Sequence, residues 1–198
     1  MHTAIDIKDY RNNLVIRLEN LSRITLFVGD NGSGKTMTLE AIQQYCLFSK
    51  PRKADPVVYN SFSPVAHILD IDDPRIMREW RGLLGHTNKA FPRLLRIANA
   101  MVSAKNSVLL ADEIETGFHY TAMTPMWKLI LDIAAKLDVQ VFASTHSKDC
   151  WTSLGEALAG GNYSDAATIL RLEAGGQKVV QFSATEIVAA AEANIEIR

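Results

Sequence analysis

The strongest chemical signal in this sequence is an eight-residue stretch, 29–36, that reads Gly-Asp-Asn-Gly-Ser-Gly-Lys-Thr. A glycine, four free positions and then Gly-Lys-Thr is the spacing of a phosphate-binding loop, because glycines let backbone N–H groups turn inward around a phosphate. Lys35 would bridge the β- and γ-phosphates of a nucleotide, and the Thr36 hydroxyl would bind Mg²⁺ beside them. The simpler alternative is a glycine-rich turn with an incidental lysine.

The surroundings of the loop favour phosphate binding over the simple turn. The apolar segment 24–28 precedes the loop as a candidate strand, and apolar residues recur at helical spacing from Leu39 onward. A helix that starts at the loop would add its positive N-terminus to the phosphate site. The residues that we predict to contact the nucleotide here are Asp30, Asn31, Gly32, Ser33, Gly34, Lys35, Thr36 and Met37.

Two adjacent carboxylates follow a second apolar segment, 108–111. At the carboxyl edge of a parallel sheet such groups face the crevice in which ligands bind. Asp112 would hold the Mg²⁺ shell, and Glu113 would orient or deprotonate an attacking water. The alternative is an ordinary solvated turn.

A histidine follows the apolar segment 139–143 and is flanked by hydroxyl residues. If the two apolar segments form neighbouring strands, His146 faces the γ-phosphate, where it could sense or stabilise developing charge. The alternative is a histidine that caps the next helix.

The pattern around these motifs predicts an α/β fold with a mainly parallel sheet, since helical stripes alternate with short buried strands. Three short strands are expected before the phosphate loop. A helix, a hairpin around 175–176 and a final helix from about residue 185 are expected after His146. Four prolines interrupt the segment from 50 to 74, which we interpret as loops or a surface subdomain that includes 57–59. The helical stripes are expected at 93–105 and 123–137.

Composition limits the class of protein. The chain has 198 residues, 47% of them hydrophobic, and a formal net charge of −1, which fits one globular domain without a general basic field for nucleic acid. Two cysteines do not make a disulfide framework or a zinc site, and we expect both to be buried. No apolar run is long enough to span a membrane, so a soluble cytoplasmic protein is expected.

The three motifs together resemble the ABC-type ATPase cores of the SMC, RecF and OLD group, and most closely the compact OLD-like ATPases. The stretches that carry the resemblance are GDNGSGKT, VLLADEIETGFH and VFASTHS, with weaker matches over nearly the whole chain. The resemblance implies a P-loop NTPase of one domain, 1–198, with an ABC-ATPase-like core, a mainly parallel central sheet flanked by helices and an N-terminal antiparallel β-subdomain.

The resemblance also assigns roles to residues. It implies that Asp112 is the Walker B acid, that Glu113 is the catalytic base and that His146 is the switch histidine, with Lys35 as the third catalytic residue. Residues 115–119 would form the D-loop region. Thr36 and Asp112 would bind the metal, and Tyr10 or Arg11 would line the adenine side.

Two departures from the family pattern affect the expected activity. The family completes its site with a Ser-Gly-Gly-type signature loop from a second subunit, and residues 84–87, inside an irregular or helical subdomain at 50–92, are only a degenerate copy. The family's Q-loop glutamine is also missing. The segment between the first predicted helix and residues 84–87 is too short for an SMC coiled coil, and we do not expect the TOPRIM nuclease domain that follows the ATPase core in OLD proteins.

The leading hypothesis is hydrolysis of ATP to ADP and phosphate with Mg²⁺, coupled to a homodimer that holds the nucleotide at its interface. The resemblance adds a DNA-related or anti-phage context and a possible effector partner such as a nuclease. The alternative is a nucleotide-dependent binding module with little hydrolysis. A small phosphate-loop kinase and a transporter subunit fit the motifs less well.

Overall fold

A computed structural model describes residues 1–10, 14–48, 56–59, 91–161, 163, 165–173 and 178–197 of the chain. The strands are β1 (Ile5–Tyr10), β2 (Leu14–Leu18), β3 (Ile24–Val28), β4 (Val57–Tyr59), β5 (Val108–Ala111), β6 (Gln140–Ser144), β7 (Ala167–Glu173) and β8 (Lys178–Ser183). The helices are α1 (Lys35–Phe48), α2 (Phe91–Ser103), α3 (Met123–Leu137), α4 (Lys148–Ala159) and α5 (Ala184–Glu192), with a 3₁₀ turn at Tyr120–Ala122 before α3.

The central sheet has the strand order β4-β5-β6-β3-β7-β8. All neighbouring pairs are parallel except β7 and β8, which form an antiparallel hairpin. Every residue of β3, β5 and β6 is buried, because parallel strands with helices on both faces have no solvent side. The predicted α/β fold with a mainly parallel sheet is confirmed.

Two hydrophobic clusters lie on opposite faces of this sheet, and β3 contributes to both because successive side chains of a strand point to opposite faces. Leu26 belongs to the cluster that includes Trp127 of α3 and Trp151 of α4, whereas Phe27 belongs to the one that includes Ile42 of α1. The helices therefore cover both faces of the sheet. None of the helices in the described ranges has the length and apolar character that crossing a bilayer requires.

Both cysteines lie in these clusters, as predicted. Cys46 and Cys150 are buried free thiols. Burial raises the pKa of Cys46 to about 11, and burial followed by the charge of Glu115 raises the pKa of Cys150. Thiols in this environment remain protonated near neutral pH and are poor nucleophiles.

The first two strands form a separate antiparallel sheet. Ile5 of β1 pairs with Leu18 of β2, and the register shifts between Ile7 and Tyr10. Ile5 and Leu18 are fully buried in the same cluster as α1, so this small sheet covers the α1 side of the molecule. The expected N-terminal antiparallel element is thus present, while β3 belongs to the central sheet.

One sequence expectation was wrong. Residues 57–59, which we interpreted as part of a loop or surface segment, form strand β4 at the edge of the central sheet, parallel to β5. Pro56 lies just before the strand, where its missing N–H is tolerated, and Tyr59 is fully buried beneath α2. The rest of the expected 50–92 subdomain, apart from residues 56 and 91–92, lies outside the described residues.

Candidate functional site

The phosphate loop links the end of β3 to the first residue of α1. All three of its glycines have positive φ values, 139° at Gly29, 80° at Gly32 and 97° at Gly34. A Cβ atom at Gly29 would lie 2.6 Å from the carbonyl oxygen of Leu172 in β7. Glycine is therefore required at Gly29 both by backbone conformation and by the close approach of β7.

Lys35 is held by the loop itself. Its Nζ donates to the carbonyl oxygens of Gly29 at 2.7 Å and Asp30 at 2.9 Å, and lies 3.5 Å from Ser33 Oγ. Partial burial lowers the pKa of Lys35, while the charges of Asp112 and Asp30 act in the opposite direction. The ammonium is thus positioned inside the loop by acceptors that a phosphate oxygen could replace.

The next loop residue contacts the acidic pair. Thr36 Oγ1 donates to Asp112 Oδ2 at 2.8 Å, which joins the start of α1 to the end of β5. The other carboxylate oxygen, Oδ1, accepts a hydrogen bond from Ser144 Oγ of β6. A hydroxyl and a carboxylate at this distance are the hard oxygen ligands that Mg²⁺ prefers.

The described residues contain no group of three or more His, Cys, Asp and Glu side chains that could hold a metal ion. A Mg²⁺ ion at Thr36 and Asp112 would therefore complete its shell with phosphate oxygens and water, which is the usual arrangement in phosphate-transferring sites. The oxygen donors of Thr36 and Asp112 therefore fit the predicted Mg²⁺ ion when phosphate and water supply the remaining ligands.

The backbone at Glu113 is in the left-handed region, with φ at 46°. Its N–H donates to Ser144 Oγ at 2.9 Å, and the N–H of Ile114 donates to the Ser144 carbonyl at 3.1 Å. The Glu113 carboxylate accepts from Thr116 Oγ1 at 3.3 Å, and its side chain is 55% exposed. Two bonds to the end of β6 thus hold a backbone conformation that costs a non-glycine residue free energy.

Sequence reasoning missed the role of Ser144. This fully buried residue ends β6, which pairs with β5, and its single hydroxyl contacts both members of the acidic pair. The available signal was a hydroxyl residue at the last position of an apolar strand beside another strand that ends in two acids.

His146 follows β6 and faces the same acids. Its Nδ1 lies 3.7 Å from Glu113 Oε1 and 3.5 Å from Glu115 Oε1. Its backbone N–H donates to that same Glu115 oxygen at 3.3 Å. Helix α4 is capped by the side chain of Ser147, which accepts from the Cys150 N–H. The alternative role of His146 as the cap of the next helix is therefore filled by its neighbour.

These groups line one cleft of about 270 Å³ between the start of α1 and the ends of β5 and β6. Its lining residues are Asn31, Gly32, Gly34, Lys35, Thr36, Met37, Asp112, Glu113 and His146. Of the other predicted loop residues, Ser33 is buried and Asp30 contributes its carbonyl oxygen to the Lys35 bond. The three motifs, far apart in the sequence, therefore meet at one edge of the sheet.

Residues 5–107, just over half of the chain, match a family model described as an AAA domain. The chain belongs to this AAA domain family. The match includes the phosphate loop but ends before Asp112. The positions of the acidic pair and of His146 in this AAA domain protein therefore rest on the geometry of the cleft.

Solved structures share the fold of the AAA domain protein over almost its full length. MJ1267, an ATP-binding cassette of an ABC transporter, is 14% identical, with 96% of this chain and 94% of that chain covered and a TM-score of 0.56. CbiO1 of Clostridium perfringens, part of the ABC transporter complex CbiONQ, is 16% identical, with 97% and 94% covered and a TM-score of 0.52. A nucleotide-free ATP-binding cassette from an ABC transporter is 13% identical, with 96% and 92% covered and a TM-score of 0.55.

At these identities the likeness establishes the fold alone, which is that of ATP-binding cassettes. Comparison with curated proteins finds no match.

Two predicted parts of the site lie outside the described residues of the AAA domain protein. These are Arg11, one of the two candidates for the adenine side, and the degenerate signature region at 84–87. Tyr10, the other candidate, ends β1, but its side chain is also outside the description. The contacts of the adenine ring and of a signature loop remain predictions.

Glu115 is the second residue whose role sequence reasoning missed, because it was assigned only to the D-loop region. Its side chain is 7% exposed and lies beneath His146. The signal that could have revealed it is the spacing of Glu113 and Glu115, two residues apart after a buried strand.

Proposed function

We propose that this protein binds ATP with Mg²⁺ and hydrolyses it to ADP and phosphate. The observation that carries the proposal is the single cleft shared by Lys35 and Thr36 of the phosphate loop, by Asp112 and Glu113 after β5 and by His146 after β6. A glycine-rich loop at a helix N-terminus favours a phosphate group, and two acids beside it favour a metal-assisted attack by water.

Each of these side chains has a distinct task in the proposed reaction. Lys35 exchanges its loop carbonyls for phosphate oxygens, and Thr36 and Asp112 supply ligands to Mg²⁺. When bound, Mg²⁺ neutralises phosphate charge and orients the triphosphate. Glu113 accepts a proton from the attacking water, with its carboxylate oriented by the Thr116 hydroxyl at 3.3 Å. His146 stabilises the charge on the γ-phosphate.

We also propose that the ATP-bound form is a two-fold dimer that holds the nucleotide at its interface. The side chains of Glu113 and His146 are 55% and 49% exposed. Closed active sites exclude bulk water, so a second copy that covers this cleft would supply the missing wall. ATP drives dimer formation only to the extent that it binds the closed dimer more tightly than the open monomer.

The substitution Glu113→Gln tests both proposals. We expect turnover to fall by roughly 10²–10⁴-fold, the usual contribution of a positioned general base, while ATP binding by calorimetry is retained. In ATP and Mg²⁺, light scattering after size exclusion should show a dimer that the trapped nucleotide stabilises. Glu192→Gln, an exposed change on α5, is the matched control and should hydrolyse ATP at the wild-type rate.

Two results would contradict these proposals. Equal turnover by the wild type and Glu113→Gln would leave a nucleotide-dependent binding module. A monomer under all conditions would exclude the shared interface while leaving the nucleotide site intact.

Kinship with the compact OLD-like ATPases, and with it a DNA-related or anti-phage role in the cytoplasm, is a further proposal. Its support is the sequence resemblance and the two buried free thiols, which suit a reducing compartment. A duplex DNA fragment should change the ATPase rate or bind the ATP-loaded Glu113→Gln dimer. An absence of both effects would favour a protein effector such as a nuclease as the partner.

A further inference from the structure

A buried carboxylate that is not part of the cleft lining, that of Glu115, lies against His146. The Glu115 side chain is 7% exposed, whereas that of His146 is 49% exposed. One oxygen of Glu115, Oε1, accepts the backbone N–H of His146 at 3.3 Å and lies 3.5 Å from the ring Nδ1. A single carboxylate oxygen thus contacts both the main chain and the side chain of the histidine.

The same carboxylate has acceptor capacity to spare. Its second oxygen, Oε2, is buried and has no hydrogen-bond partner among the described residues. A buried oxygen without a partner costs free energy, so a fold that keeps one invites a functional explanation. The N–H of the neighbouring imidazole is a donor within reach of this group.

Hydrogen bonds fix the backbone on both sides of His146. A neighbouring side chain can therefore act on this residue by orienting its imidazole ring. The N–H of Thr145 donates to the Phe27 carbonyl at 3.0 Å, and the N–H of Ser147 donates to Thr145 Oγ1 at 3.0 Å. Two carboxylates face the Nδ1 atom, and they differ in environment. Glu113 is half-exposed at 3.7 Å, whereas Glu115 is buried at 3.5 Å.

We propose that Glu115 is the positioning residue that holds the neutral ring of His146 in the Nδ1–H tautomer. A hydrogen bond to a buried carboxylate is stronger than one to an exposed carboxylate, because water and counterions screen it less. With the proton on Nδ1, Nε2 is the nitrogen left to face the nucleotide, and a proton gained there together with ATP would make it the N–H donor to the γ-phosphate that the proposed function requires. This tautomer does not depend on hydrolysis, but its catalytic consequence rests on the proposed function.

The test is the ring-nitrogen NMR spectrum of His146 in the nucleotide-free full chain, at a pH at which the imidazole is neutral. His146→Asn assigns its signals among those of the five histidines. The wild type should show mainly Nδ1–H, and Glu115→Leu should return the ring to the Nε2–H form that prevails in free histidine. The matched control is Glu113→Gln, which removes the exposed carboxylate and should leave the tautomer unchanged.

An unchanged tautomer in Glu115→Leu overturns the proposal. A change in Glu113→Gln alone also overturns it, since the exposed acid would then orient the ring. If the amide spectrum shows that Glu115→Leu is unfolded, Glu115→Gln takes its place. Glu115→Gln keeps the shape of the side chain but replaces the carboxylate with a neutral, weaker acceptor. A lower Nδ1–H population of His146 in this variant supports the proposal, and an unchanged population refutes it.

A kinetic measurement separates this inference from the proposed function. Glu115→Leu should lower turnover by about 10–100-fold, the loss seen when a partner that orients a metal-binding histidine is removed, with the Kd for ATP little changed. A loss of ATP affinity with unchanged turnover would contradict the positioning role. A wild type without turnover would refute the hydrolysis proposal, while the tautomer result would still decide the role of Glu115.

Discussion

At the scale of single residues, one hydroxyl connects the two acids of the cleft. Ser144 Oγ donates to Asp112 Oδ1 and accepts the N–H of Glu113 at 2.9 Å. Ser144 is fully buried. Removal of its hydroxyl would leave a partly buried N–H and a carboxylate oxygen without their partner, and would release the left-handed backbone at Glu113.

Ser144→Ala should therefore lower both stability and activity. We expect the free energy of unfolding, measured with urea, to fall by about 1–3 kcal/mol, because a polar group loses its partner in the interior. The Mg²⁺-dependent ATPase rate should fall as well, since both acids lose a positioning contact.

The matched control for Ser144→Ala is Thr168→Val. Thr168 is a buried hydroxyl residue in β7 that bonds to Ser22 at 2.7 Å, and it does not line the cleft. This variant should lose stability while the folded protein keeps its ATPase rate. A wild-type rate in Ser144→Ala would contradict the role that we give to its hydroxyl.

At the scale of elements, helices α4 and α5 approach each other closely at one glycine. A Cβ atom at Gly155 would lie 2.6 Å from Ala191 Cβ and 3.1 Å from the Ile187 carbonyl oxygen of α5. Neither of these atoms is the end of a flexible side chain. The packing of the two helices therefore depends on a glycine inside α4.

Gly155→Val should force the two helices apart. We expect the free energy of unfolding to fall by about 1–3 kcal/mol, as when a packed core is overfilled. Gly160→Ala, at the end of α4, is the control, because a Cβ there would be 3.4 Å from its nearest neighbour. Denaturation of both variants with guanidinium gives the comparison, and equal stability would contradict the packing argument.

The start of α5 is stabilised by a capping box. Ser183 Oγ accepts from the N–H of Glu186, and the Glu186 carboxylate accepts from the Ser183 N–H at 2.8 Å. The backbone hydrogen bond from Ser183, and then its hydroxyl, lower the pKa of Glu186. A lowered carboxyl pKa means that this stabilisation is present above the unfolded value of about 4.3 and is lost as the pH falls through the lowered one.

Ser183→Ala should cost about 1 kcal/mol of unfolding free energy at pH 7, the usual value of an N-cap. The difference from the wild type should shrink as the pH falls below the ordinary glutamate range. Urea unfolding between pH 3 and pH 7 measures both effects. Glu192→Gln, at the other end of α5, is the control and should not alter how stability falls at acid pH. A difference between Ser183→Ala and the wild type that stays constant from pH 3 to pH 7 would contradict the role of the Glu186 carboxylate.

The sequence predicted those elements whose pattern is local and missed one whose pattern is not. Strands β3, β5 and β6 could be recognised from the apolar residues within each short segment. The phosphate loop could be recognised from the fixed spacing of its glycines. The three-residue strand β4 could not, because a short run after a proline fits a loop equally well. Its strand conformation depends on pairing with β5, which is a tertiary contact.

At the scale of the whole molecule, the strand order explains why the site could be predicted only in outline. Parallel strands bring their carboxyl ends to one edge, so the loops after β3, β5 and β6 were expected to meet. The pattern does not say that β6 lies between β5 and β3. That order places Ser144 beside Asp112, and His146 above Glu115, so the roles of Ser144 and Glu115 depend on tertiary placement.

Binding at this edge should stabilise the entire fold, because the segments after three adjacent central strands, β5, β6 and β3, contribute to the cleft. At a free ATP concentration about 100 times the Kd, the gain is about 2.7 kcal/mol, and the melting temperature of a chain this long should rise by roughly 5–10 °C. Thermal denaturation with and without ATP and Mg²⁺ measures this rise.

Lys35→Ala should abolish the shift in melting temperature, because the proposed site loses the ammonium that would bind the phosphates. Asp112→Asn should abolish the part that requires Mg²⁺. Lys105→Ala, an exposed lysine away from the cleft, should keep the full shift. A full shift in Lys35→Ala would mean that ATP binds elsewhere. The larger groove of about 410 Å³ beside Tyr163 and α5 would then be the next place to examine.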